Sequence, residues 1–160
     1  MIIKCFRPPI DLVAPYIKES IESGKNVRLA VTGNSMFPLL RGDRDTVVLS
    51  KPLNISKYDV VLYRRQNGQY ILHRVISVKD DELVIAGDAE TTKEYPVYKA
   101  DCIGKMVSFE HRERLFYTND FLYIVYSRLW LCVFPLRKFI IACCKKGRRL
   151  LLKIITRSNG

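Results

Sequence analysis

Asp59-Val60-Val61-Leu62-Tyr63-Arg64-Arg65-Gln66-Asn67-Gly68-Gln69-Tyr70-Ile71-Leu72-His73-Arg74-Val75-Ile76 places two runs of β-branched and aromatic residues on either side of an Asn-Gly pair. Asn-Gly accepts the positive φ angles of a tight turn at little cost, so the stretch predicts an antiparallel hairpin. The same kind of short run recurs at 27–31, 46–49, 82–85 and 103–109, and Asp80-Asp81 marks a second turn. Ahead of these runs Leu12, Val13, Tyr16, Ile17 and Ile21 fall at helical spacing, and Gly24 supplies a stop. The expected fold is mostly β: a helical lead-in over 1–25, a compact antiparallel domain over 26–114, and a tail of different character over 115–160.

At 160 residues and 48% apolar composition the chain can build one domain with a real core. Its formal charge of +11 is unevenly placed. Residues 115–160 hold nine Lys/Arg against Asp120 alone, and the rest of the chain carries little net charge. Cysteines at 5, 102, 132, 143 and 144 form no CxxC pair, and His73 and His111 are the only histidines. No zinc-site spacing exists, so neither a disulfide framework nor a required metal or cofactor is expected. The segment 1–25 contains no apolar stretch of secretory type, so no export signal is expected.

Residues 121–144 are largely apolar yet contain Arg128, Pro135, Arg137 and Lys138. Twelve Leu/Ile/Val/Phe residues favour insertion by roughly 4–7 kcal/mol, whereas three basic residues at mid-membrane oppose it by about 8–10 kcal/mol. A simple spanning helix loses that comparison. Pro135 predicts two segments instead. In the second, Leu136, Ile140, Cys144, Leu151 and Ile155 share one helical face, and Lys138, Lys145, Arg149 and Lys153 another. With Tyr123, Tyr126 and Trp130 ahead of it, such a basic amphipathic helix fits the headgroup plane. The alternative is ordinary packing against the β domain. Aromatics embedded in long Leu/Ile runs suit lipid better than stacked bases, so no nucleic-acid partner is expected.

The chemistry concentrates in three places. Ser35 lies in Val31-Thr32-Gly33-Asn34-Ser35-Met36-Phe37-Pro38-Leu39-Leu40-Arg41-Gly42-Asp43, a turn able to present a hydroxyl. His73 comes next, in the second run of the expected hairpin, and Asp88 follows it, directly after Gly87. A serine hydroxyl needs a base to take its proton as it attacks, and an imidazole titrates in the useful range. An acid can hold that imidazole in the correct tautomer, and backbone N–H groups around Gly33, Asn34 and Ser35 can stabilise an oxyanion. Taken singly, each residue is more often a turn or sheet residue than a catalyst. His111, in the polar run Glu110-His111-Arg112-Glu113-Arg114, reads as a solvated connector.

Jointly, Gly33-Asn34-Ser35-Met36-Phe37-Pro38 with Arg41-Gly42-Asp43, then Asp59-Val60-Val61-Leu62-Tyr63, His73-Arg74-Val75 and Ala86-Gly87-Asp88 resemble the ordered boxes of the type I signal peptidase family and its LexA-like relatives, over about residues 27–108. His73, where common bacterial members carry lysine, is similar to the endoplasmic-reticulum and archaeal type. The resemblance implies a coiled antiparallel β domain, with Ser35 as nucleophile, His73 as general base and Met36 and Pro38 beside the substrate. It implies a preference for small residues just before the cut. For the acid it offers Asp88, with Glu90 or Glu94 in reserve, because the family's second acidic site falls where this chain reads Glu90-Thr91-Thr92-Lys93-Glu94-Tyr95. Gly33 stands where some bacterial members place a second hydroxyl, which leaves more of the oxyanion stabilisation to the backbone.

The expected function is therefore a serine endopeptidase that removes leader or signal segments from peptides or proteins. Membrane lipid is expected to be contacted through residues 121–155, and the basic tail places the domain on the cytoplasmic side. Two alternatives use the same sequence differently: a non-catalytic membrane-bound peptide-binding module, and a LexA-like self-cleaving regulator. The segment ahead of Ser35 has room for one helix but not for a helix-turn-helix DNA reader, which argues against the regulator.

Overall fold

The computed structural model describes residues 9–137 and 139. Helix α1 (Ile10–Glu22) leads into β1 (Val27–Ala30), β2 (Thr46–Ser50), β3 (Val60–Arg64), β4 (Tyr70–Lys79), β5 (Glu82–Ala86), β6 (Glu94–Tyr98), β7 (Cys102–His111) and β8 (Arg114–Tyr117). Helix α2 (Phe121–Cys132) and a 3₁₀ turn (Phe134–Leu136) close the described chain. The fold is mostly β, as expected, and consists of one antiparallel sheet of eight strands in the order β1-β2-β7-β3-β4-β5-β6, with β8 beside β7.

The Asn67-Gly68 hairpin forms where its sequence directs. Arg64 pairs with Tyr70, Arg65 N–H donates to Gln69 O at 2.8 Å, and Gly68 has φ +89°. Strand β3 is the hinge of the packing because both of its faces are buried. Val60 and Leu62 join Ile17, Ile21, Leu49 and Met106 in a core beneath α1. Val61 and Tyr63 join Val75, Leu83, Ile85 and Val97 in a second core. A strand with two buried faces reads as a continuous apolar run, which is what Val60-Val61-Leu62-Tyr63 is.

The expected break near Pro135 is present: α2 ends at Cys132 and a 3₁₀ turn contains the proline. The amphipathic segment expected beyond it lies outside the described residues. One expectation is corrected. Tyr123, Tyr126 and Trp130 do not form a headgroup belt, because they pack on the β domain. Tyr123 is 8% exposed and sits 5.9 Å from the Phe109 ring, and the indole N–H of Trp130 donates to Asp88 O at 3.1 Å. Their polar atoms found protein partners, and an amphipathic aromatic serves a wet protein interface as readily as a lipid one. The sheet also runs past residue 114, through Tyr117 of β8.

Candidate active site

Ser35 is carried by the connection from β1 to β2, which leaves and re-enters the sheet at one point. Val31 N–H donates to Asp45 O and Asp43 N–H to Val31 O, both at 2.9 Å. Within the loop the backbone is drawn tight: a Cβ on Gly42 would meet the Gly33 carbonyl oxygen at 2.2 Å, so only glycine fits there. Asn34 Oδ1 accepts the Gly42 N–H at 3.3 Å.

The base of the loop is pinned by Asp45, which is 1% exposed. Its carboxylate accepts from Arg41 N–H at 2.7 Å and from Arg44 Nε at 3.0 Å, and it pairs with His111 Nδ1 at 2.7 Å. Burial alone would raise the Asp45 pKa, but His111, the Arg41 N–H and Arg44 together hold it below the usual carboxylate range. His111 is thus the last residue of β7 and an anchor of the serine loop, not a solvated connector.

Ser35 is partly buried and lines a cleft of about 680 Å³ between α1 and β1. Val13, Ile17, Leu29 and Leu72 make its walls apolar, and Met36, itself a core residue, lines it too. Pro38 is partly buried and lies outside that lining. The Ser35 carbonyl oxygen accepts from Ala89 N–H at 2.7 Å. Among the described residues, no group accepts from the Ser35 backbone N–H.

Gly87 marks where the loop and the sheet meet. A Cβ on Gly87 would lie 2.6 Å from Ser35 O, 3.0 Å from His73 Nε2 and 3.1 Å from Glu90 Cδ. The backbone carbonyl of Ser35 and the ring of His73, far apart in the sequence, therefore both pack against a single glycine. His73 stands opposite Val61 in the β3–β4 register and is 1% exposed. Burial pushes its pKa below the ordinary imidazole value, with Glu90 and Glu94 opposing only in part, so the ring is neutral and basic at neutral pH.

Glu94, the first residue of β6, faces the other ring nitrogen: its Oε1 lies 3.2 Å from His73 Nδ1, though not aligned as a formed hydrogen bond. Arg65, from the β3–β4 turn, holds Glu94 in a fork, Nε to Oε2 at 2.7 Å and the second arm to Oε1. Burial favours the neutral acid, but Arg65, Tyr63 and His73 outweigh it and keep Glu94 charged. Glu90 Oε1 is 3.6 Å from His73 Nε2.

Asp88 is placed differently from the acid expected beside His73. It is fully buried, makes no hydrogen bond to the imidazole, and receives a two-armed fork from Arg74, Nε to Oδ1 and Nη2 to Oδ2, both at 2.8 Å. Arg74 Nη1 also donates to Tyr58 O, Tyr123 Oη and Ser127 Oγ at 2.9, 3.2 and 3.0 Å. Arg137 donates to Gly87 O at 3.1 Å. Burial opposes the charge on Arg74, yet Asp88 and Tyr123 raise its pKa. This network clamps α2 onto the Gly87-Asp88 segment, which lies against both the Ser35 main chain and His73.

Compared with protein-family models, curated proteins and solved structures, the chain matches none.

Proposed function

We propose that the chain is a serine endopeptidase of the signal peptidase type, with a LexA/signal-peptidase-like β domain and with Ser35, His73 and Glu94 as its nucleophile, base and orienting acid. The observation that carries the reading is that the main chain of Ser35 and a buried, neutral His73 pack against the same glycine, Gly87, which brings the serine loop to the imidazole. As Ser35 Oγ bonds to the scissile carbonyl carbon, its proton passes to His73 Nε2. The charged Glu94 favours the tautomer with the proton on Nδ1 and stabilises the imidazolium that forms. The Ser35 backbone N–H is the donor for the developing oxyanion. His73 then protonates the departing amine, and water cleaves the acyl-enzyme by the same route.

The substrate is an extended peptide. Among the described residues strand β1 pairs only with β2, and its outer edge lies beside the apolar cleft, as strand addition requires. Phe121, Leu122, Leu129, Leu136 and Phe139 are each more than half exposed. Together with the basic tail they support docking on an anionic bilayer surface, where a leader-bearing substrate is concentrated. Among the described residues no helix is long and apolar enough to cross a membrane.

The test is cleavage of leader-bearing peptides by the intact chain and by S35A and H73Q variants. Both substitutions should reduce turnover by at least about a thousandfold, as loss of a triad member does, and leave the melting temperature nearly unchanged. Cleavage retained by S35A would sink the mechanism. Peptide binding without cleavage, and without labelling of Ser35 by a serine-reactive phosphonate, would favour a binding module instead.

A further inference from the structure

The carboxylates of Glu90 and Glu94 do more than flank the imidazole. One ring nitrogen of His73 and one oxygen from each glutamate lie within 4.8 Å of one another. The His73 Nδ1 to Glu94 Oε1 separation of 3.2 Å is close to the edge of a tetrahedron of ligands around Zn²⁺, about 3.3 Å for metal–ligand bonds of about 2.0 Å. His73 is 1% exposed and its Nδ1 has no hydrogen-bond partner, a costly state for a buried polar atom unless something else satisfies it. Glu90 is more than a third exposed at its side chain, so it can swing to complete a set of ligands without disturbing the core. Arg65 occupies one lone pair on each Glu94 oxygen, and a carboxylate has about four to offer.

From this geometry we propose that His73, Glu90 and Glu94 form a binding site for a first-row divalent cation of the Zn²⁺ class, and that its occupancy switches off the general base. One nitrogen and two carboxylate oxygens suit Zn²⁺ or Co²⁺ better than Ca²⁺ or Mg²⁺, which take oxygen ligands almost alone. Binding at Nε2 consumes the lone pair that would accept the serine proton. Binding at Nδ1 forces the ring's remaining proton onto Nε2, with the same result. No bond in the peptide is broken by the metal; it inhibits, and is not required for turnover. The inhibitory part rests on the protease reading above, whereas the site itself does not.

Cobalt titration of the full chain tests the site without any assay of cleavage. Nitrogen and oxygen ligands give weak visible bands only, whereas the chain's cysteines would add intense thiolate charge-transfer absorption. The expected result is saturable one-to-one binding with the weak bands, equal in wild type and S35A. Affinity should fall by more than about tenfold in Glu90→Gln, since even outer-shell partners of a metal are worth about 10- to 100-fold. Where the wild type cleaves peptide, Zn²⁺ should inhibit it, EDTA should restore it, and the E90Q variant, measured against its own metal-free rate, should need more than about tenfold more Zn²⁺ for half-inhibition. Equal cobalt affinity in wild type and E90Q, thiolate bands alone, or no saturable binding would overturn the site. Saturable cobalt binding in a protein that cleaves nothing would leave the site standing and the protease reading fallen.

Discussion

Two nearby carboxylates, Asp88 and Glu94, are separated by what they touch. Asp88 faces arginines, is fully buried, and answers the charge of Arg74 with both oxygens. Glu94 faces the imidazole and is steadied by Arg65 at a partly exposed position. Removing half of a buried ion pair costs about 3–5 kcal/mol because the partner's charge is left stranded. Breaking a partly exposed one costs about 1 kcal/mol or less. Asp88→Asn should therefore lower the melting temperature by on the order of 10 °C. Glu94→Gln should barely shift it while reducing kcat by about a hundredfold or more, as the orienting carboxylate of a triad does when neutralised. Melting curves and kcat for the two variants decide the matter. Full activity in E94Q with loss in a well-folded D88N would return the acid's role to Asp88.

Among elements, the reading of strands from sequence succeeds where composition and turn chemistry agree, and fails at β6 and β8. Strand β6 reads Glu-Tyr-Pro-Val-Tyr, and proline argues against a strand unless, as here, the strand lies at the sheet edge. Missing β6 leaves Glu94 a reserve behind Asp88, because only its place in that strand, opposite Ile85, brings it to His73. Strand β8 follows a turn in which Arg112 and Glu113 both have positive φ, 51° and 64°. That conformation is normally announced by Asn or Gly, and neither is present. The serine loop was legible as a motif, but its anchor was not, because Asp45 and His111 are 66 positions apart and nothing local pairs them. That anchor gives the loop a pH dependence. The Asp45 pKa is lowered in the folded chain, so its contribution is present above the unfolded carboxylate value of about 3.9 and is lost as pH falls through the folded one. Asp45→Asn should destabilise the protein by about 1–3 kcal/mol at neutral pH. The gap between the two denaturation curves should close progressively below about pH 4. A gap unchanged down to about pH 2.5 would show that the Asp45 charge contributes nothing.

For the whole molecule, most of the positive charge and one group of exposed apolar residues, Phe121, Leu122, Leu129, Leu136 and Phe139, lie at the same end of the chain. Helix α2 spends its aromatic side on the β domain, where Trp130 and Arg137 hold the segment around Gly87. Its opposite side carries Phe121, Leu122 and Leu129 into solvent. Nine Lys/Arg against one acid over 115–160 supply the attraction to an anionic surface, worth about 1 kcal/mol for each basic residue near the headgroups. If α2 lies on such a surface, its inner side holds the Gly87-Asp88 segment in place while its outer side enters lipid. Sedimentation with vesicles should then show binding to phosphatidylserine-containing bilayers, weaker binding to pure phosphatidylcholine, and release as salt rises. Leu122→Glu and Leu129→Glu should each weaken binding by about tenfold, the loss of roughly 1.4 kcal/mol of apolar burial. Neither should alter peptide cleavage in detergent-free solution, because neither residue touches the site. Equal binding to neutral and anionic vesicles, or no effect of the two glutamates, would mean that this face does not meet a membrane.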